Sequence, residues 1–288
     1  MDLDGTLSAC QALQGSVPHL IEQEIDFVKK HQVSLILGDV PPLCFEIAAQ
    51  ASIASVAIAN FTWSWIYRAY IKSHPAFRSI VEQMEALYRR ATLALTLPYP
   101  GGMDVFPRQE SLPWVARASP LSKEEARRAF HLPQFATIVL LSFGGLGLDR
   151  LPWEKLENLR DFFFLTTGAA KQEIDNVLRL PDAQRSYADL VRAADVVVTK
   201  PGYGIVADAL SHQVPMLYTE RGEFAEYPRL VQALGECATA EFIPQDQLLE
   251  GNLAPYLTRL LERKPNWPAV PLDGAEVAAA KILELMDA

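Results

Sequence analysis

Cysteine is scarce: Cys10, Cys44 and Cys237 are three isolated residues in no metal-binding or redox spacing. That argues against a disulfide framework or a thiolate metal site. The odd count, with no basic-then-apolar leader pattern, leads to an expectation of reduced thiols and a cytoplasmic location. Positive charge is also in short supply, with 26 Lys and Arg against 35 Asp and Glu and a formal net charge of −9. No basic field therefore invites nucleic acid or an anionic membrane. No apolar run approaches the roughly 20 residues of a transmembrane helix. Internal repeats and low-complexity tracts are lacking too. What is present is a chain of 288 residues, 50% apolar, long for one domain and comfortable for two.

The most informative stretch is 195–228. Asp195–Thr199 is a β-branched run suited to a strand buried on both faces. Lys200-Pro201-Gly202-Tyr203-Gly204 breaks it, Ile205–Ser211 reads as a helix, and Val214–Tyr218 as a second strand. Strand, glycine turn, helix and strand make a βαβ unit, whose ligand surface lies at the carboxyl ends of the strands. Gly202 and Gly204 let the backbone approach a ligand, and the N–H groups opening the helix suit a phosphate. Asp208 follows one turn later, within reach of a sugar hydroxyl. Glu223 and Glu226 follow the next strand, either as sugar-binding acids or as solvated loop acids. Lys200 is either a charge for the diphosphate or a surface lysine in a turn.

The rest of the chain repeats the alternation. Strands are expected at Ser34–Leu37, Ser55–Ala59 and Ala91–Leu97, with a helix over Ser16–Gln32 and another opened by Pro41-Pro42. Asp39 and Asn60-Phe61-Thr62-Trp63 then fall at the ligand edge of a first sheet. Asp39 is a helix cap or a base, and Trp63 packs in the core or faces an acceptor. Residues 100–135, punctuated by proline and glycine, read as a connection. Thr137–Leu141 and Asp161–Thr166 begin a second sheet, and Gly144 and Gly145 form a further phosphate-facing turn after the first of these. The boundaries this suggests are 1–132 and 133–288. At the very start, Asp2-Leu3-Asp4-Gly5-Thr6-Leu7 spells the nucleophile motif of haloacid-dehalogenase-type phosphatases. No strand precedes Asp2 and no acidic pair completes a metal site, so a solvated loop is the expectation.

Taken together, Tyr187-Ala188-Asp189-Leu190, Ala193-Ala194-Asp195, Lys200–Gly204 and Arg221-Gly222-Glu223-Phe224, then Glu226-Tyr227-Pro228, resemble GT-B-fold glycosyltransferases. More narrowly, they are similar to the glycosyltransferase-like domain attached to L-arabinokinases and to family 28-type, UDP-sugar transferases. Gly38-Asp39-Val40-Pro41 and Asn60–Trp63 resemble first-domain signatures of the same group. The resemblance implies an α/β protein of two Rossmann-like domains in GT-B architecture, the first shortened at its front. It further implies a nucleotide-sugar co-substrate, no cofactor and no essential metal. Gly144, Gly145, Lys200, Gly202, Tyr203 and Gly204 would lie at the diphosphate, Asp208 at the ribose in place of the usual Glu, and Glu223 and Glu226 at the sugar. Asn60 and Trp63 fall on the acceptor side, with Asp39 as the first-domain base. The expected activity is transfer from a nucleoside-diphosphate sugar, UDP-linked by expectation, to a small-molecule or lipid-linked acceptor. A non-catalytic nucleotide-sugar-binding module and a nucleotide-sugar epimerase of the same fold are the alternatives.

Overall fold

The computed structural model describes residues 2–143, 151–167, 175–180 and 186–287. The chain divides into two compact units. One comprises Met1–Val115, Glu223–Arg229 and Asp273–Ala288, the other Ala116–Gly222 and Leu230–Leu272. Each unit is built on one sheet whose described strand pairs are all parallel, as strands alternating with helices require.

In the first unit β1 (Leu35–Gly38), β2 (Ala54–Phe61), β3 (Leu93–Gly101) and β4 (Gln109–Ser111) lie side by side in chain order. The first three match the expected strands, whereas β4 falls in the stretch read as a connection. It is a short polar edge strand, so no apolar run announces it. Helices α1 (Leu3–Lys30), α2 (Leu43–Gln50), α3 (Trp63–Arg68) and α4 (Phe77–Tyr88) link the strands or precede them. Ala57 and Ala59 of β2 and Ala94 of β3 are buried beneath an aromatic cluster. Their small side chains leave room for Phe45, Tyr88 and Phe106, whose ring centroids lie 6.0, 5.7 and 5.2 Å apart pairwise.

The start of the chain departs from expectation. Asp2 is an N-cap, its Oδ1 accepting the Gly5 N–H at 2.9 Å, and α1 then runs through Pro18 to Lys30. The helix expected from Ser16 onward is already under way at that point. Asp2 therefore caps a helix where the phosphatase motif needs it at the end of a buried strand.

The second unit has β5 (Thr137–Ser142), β6 (Phe162–Thr167), β7 (Val177–Leu180), β8 (Val196–Thr199), β9 (Met216–Tyr218) and β10 (Ala240–Phe242). Their spatial order, β7-β6-β5-β8-β9-β10, is the doubly wound order, whose direction reverses between β5 and β8. β5 and β8 are buried on both faces, as their β-branched composition suggests. Helices α5 (Lys123–Ala129), α6 (Trp153–Glu157), α7 (Tyr187–Ala193) and α8 (Tyr203–His212) lie between β4 and β9 in the chain. They are followed by α9 (Tyr227–Cys237), α10 (Gln245–Leu249) and α11 (Ala254–Glu262).

The chain leading into β5 is stitched down over its length. The Arg117 guanidinium pairs with Asp208 on α8. Ser119 donates its backbone N–H to His212 Nε2 at 2.9 Å, and its hydroxyl bonds Asp189 on α7. Because Nε2 accepts, His212 carries its proton on Nδ1, which donates to the Asp208 carbonyl at 2.7 Å. Arg192 holds the Leu121 carbonyl at 3.1 Å. Lys123 and the buried Arg127 both pair with Asp195, which also accepts the Ile138 N–H at 2.7 Å. Polar staples thus fix this strap alongside the burial of Ala126, Phe130 and Leu132 in the core.

The closing helix α12 (Gly274–Asp287) belongs to the first unit. Its Gly274 N–H donates to the Trp114 carbonyl at 3.0 Å, and Lys281 pairs with Glu110 of β4.

Candidate functional site

In a doubly wound sheet the ligand crevice opens outside the carboxyl ends of the strands that flank the reversal. Here those ends are Ser142 of β5 and Thr199 of β8, which are register partners. The Thr199 hydroxyl donates to the Ser142 carbonyl at 2.6 Å, and the Tyr187 hydroxyl bonds Ser142 Oγ. Burial is the main cause pushing the Tyr187 phenol above its ordinary range, so it stays a neutral donor.

The chain leaves β8 through Lys200 and Pro201, and Gly202 becomes the N-cap of α8. Arg221 braces the turn by donating to the Pro201 carbonyl at 3.0 Å. Gly202 has no side chain with which to cap the helix, and the first turn holds no acid. Gly202 sits at φ −133°, and Gly204 is not among the residues with positive φ. Among the described residues, a Cβ at either position would meet nothing within 4 Å. Neither glycine is therefore demanded by strain or by packing. Both keep open space in front of the helix mouth, whose first-turn N–H groups and dipole favour an anion.

Asp208 lies farther down α8 and is buried, with 1% exposure. Its Oδ1 accepts the Arg117 backbone N–H at 3.2 Å and Arg117 Nε at 3.3 Å, and its Oδ2 takes Nη2. The hydrogen-bonded carboxylate is the main cause raising Arg117 above the ordinary arginine range. No sequence signal joins these residues, which stand 91 positions apart.

At the edge of the first sheet the structure brings together Asn60 and Glu226, both buried, with Asn60 Nδ2 donating to Glu226 Oε1 at 2.7 Å. Glu226 is thus no solvated loop acid. Glu223 is exposed, and its carbonyl accepts the Tyr70 hydroxyl. Trp63 is half-buried at the start of α3; its ring lies 5.4 Å from Phe61 and 5.7 Å from Tyr67. Asp39 is exposed just beyond β1 and does not cap α2, whose N-cap is Pro42. Near α3 a pocket of about 530 Å³ is lined by Trp65, Arg68, Glu85, Arg89 and Gly102 among others. Glu85 there pairs with both arginines. Gly144 and Gly145 lie outside the described residues. Among those described, no helix is long and apolar enough to cross a membrane.

This fold, two Rossmann-like α/β regions on parallel sheets of four and six strands, is the GT-B fold. Over 268 residues the chain is 31% identical to L-arabinokinase of Arabidopsis thaliana, matching 90% of its own length. It spans only 25% of that relative. No protein-family model matches. Among solved structures, it is similar to the glycosyltransferase SnogD from Streptomyces nogalater, with TM-score 0.53 and 14% identity over 99% of this chain and 81% of that one. It is also similar to a putative UDP-N-acetylglucosamine 2-epimerase from Listeria monocytogenes, with TM-score 0.58 and 11% identity over 93% and 76%.

Proposed function

We propose that the protein is a glycosyltransferase whose second unit binds a nucleoside-diphosphate sugar, with UDP as the nucleotide. The observation that carries this reading is the glycine-flanked, uncapped start of α8 at the reversal point of the sheet. When the glycosidic bond to the donor breaks, negative charge grows on the departing diphosphate. The helix N-terminus and the backbone N–H groups of Gly202, Tyr203 and Gly204 would meet that charge, with Lys200, Gly144 and Gly145 beside it. The acids that sequence position assigns to the sugar, Glu223 and Glu226, belong to the first unit, and no cofactor enters the scheme. The first unit would take a small-molecule or lipid-linked acceptor beside Asn60 and Trp63, with Asp39 as the available base. The epimerase among the structural neighbours favours a second reading, epimerisation of the same class of nucleotide sugar. Product analysis after incubation with UDP-sugars separates transfer from epimerisation.

The glycine turn supplies the direct test. Among the described residues an added Cβ at position 204 meets nothing within 4 Å, and the position needs no unusual backbone angle, so a valine there tests the space at the helix opening and not the turn. Gly204→Val is expected to weaken UDP binding at least about tenfold, or about 1.4 kcal/mol, while the unliganded melting temperature stays nearly unchanged. Calorimetric titration and a thermal melt on one preparation check both. Full-strength UDP binding would remove the diphosphate from this turn.

A further inference from the structure

We propose that Arg117 is a ligand-binding residue of this site: its guanidinium meets the nucleotide's diphosphate, and Asp208 is the positioning residue that aims it. This rests on the nucleotide-sugar reading above.

The acid that sequence position assigns to the ribose is already occupied. Both Asp208 oxygens are taken by Arg117, and the carboxylate side chain is 2% exposed. While that pair holds, a ribose hydroxyl has no route to it. Arg117 itself is different, because its side chain is 61% exposed. Nε and Nη2 are committed to Asp208, and no hydrogen bond within the described protein engages Nη1. The Tyr187 ring lies under the guanidinium, 5.6 Å from centroid to Cζ. One edge and one face of the plane are thus anchored, and the remaining edge is left for a partner from outside.

The place of that edge follows from Tyr187, whose hydroxyl bonds Ser142 at the carboxyl end of β5. Arg117 therefore stands at the same sheet edge as the opening of α8. A guanidinium only donates, so the partner it selects has acceptor oxygens, and a phosphate matches its planar fork best. The pairing also solves an electrostatic problem. A bare carboxylate on α8 would repel a diphosphate at the helix mouth. Arg117 cancels the Asp208 charge and still presents free N–H groups to the ligand.

The test is calorimetric titration with UDP on the wild type, Arg117→Gln, Asp208→Asn and the double variant, at two salt concentrations. Arg117→Gln is expected to lose at least about tenfold in affinity and to show a shallower salt dependence. Asp208→Asn should lose less, since Arg117 remains but is poorly held. The double variant should bind no worse than Arg117→Gln alone, because Asp208 acts through Arg117. The double variant carries neither charge, so it also keeps the test valid if Arg117→Gln folds poorly. If Asp208→Asn costs affinity equally with and without Arg117, Asp208 touches the ribose itself and the proposal is overturned. UDP binding by Arg117→Gln at wild-type strength, with only a lower melting temperature, overturns it as well. A wild type that does not bind UDP takes down the nucleotide-sugar reading and this inference together. Wild-type binding with an indifferent Arg117→Gln takes down this inference alone.

Discussion

Asp195→Ala is expected to destabilise the second unit by about 4 kcal/mol, the range found when one member of a buried ion pair is removed. Asp195 carries three loads from two directions. Its carboxylate accepts the Ile138 N–H at the start of β5, the guanidinium of Arg127, and the ammonium of Lys123. Arg127 is 7% exposed and also donates to the carbonyls of Ala193 and Gln134, at 3.0 and 2.9 Å. Deleting the carboxylate leaves a buried cation with only neutral partners and a backbone donor with none. Lys123 is more exposed, so Lys123→Ala should cost no more than about 1 kcal/mol. Hydrogen exchange at the Ile138 amide isolates the effect from unfolding of the first unit. Equal losses from Asp195→Ala and Lys123→Ala would show that the buried Arg127 does not depend on the acid.

Gly102→Ala should cost the first unit about 3 kcal/mol, for two separable reasons. Gly102 has φ +69°, in the left-handed region where an L side chain costs roughly 1–2 kcal/mol. Its added Cβ would also stand 2.2 Å from Trp65 Cβ and 2.8 Å from Thr62 Oγ1. Trp65 Cβ is not the loose end of a side chain. It moves only with the backbone of α3, whose start is fixed by the Thr62 cap accepting the Trp65 N–H at 3.3 Å. Overpacking of this kind adds about 1–3 kcal/mol. Gly204→Ala is the contrast, because its new methyl enters open space at an ordinary backbone angle. That change should leave stability unchanged or raise it by up to about 1 kcal/mol. Denaturant midpoints for the two variants decide the matter, and a Gly102→Ala midpoint equal to wild type would refute the clash.

The strands that define both sheets were legible because parallel strands buried on two faces must be apolar and β-branched, as in 137–141 and 195–199. β4 and β7 escaped notice because each stands at a sheet edge and is incompletely buried, so composition does not constrain it as tightly. The first half of α1 was hidden by its polarity, with Val28 its only buried residue. At the site, the glycine turn could be read as a local motif. The partners of its neighbours could not. Asn60 meets Glu226 across 166 residues, and Asp208 meets Arg117 across 91. An isolated carboxylate in a helix looks the same whether it faces a sugar or an arginine, and only the folded chain tells them apart.

The stitched strap ahead of β5 also has a consequence for the order in which the second unit assembles. Arg117 and Ser119 emerge from synthesis long before their partners, which lie 91, 93 and 70 residues downstream. Closing a loop of that size carries an entropy cost of about 4 kcal/mol, which a few polar contacts cannot meet early. The apolar pairing of β5 with β8 has to close it first. The strap should therefore dock after the rate-limiting step, and substitutions at Ser119 should speed unfolding while leaving the refolding rate almost untouched. Its role is that of a latch, setting how long the assembled unit lasts and having little say in how quickly it forms.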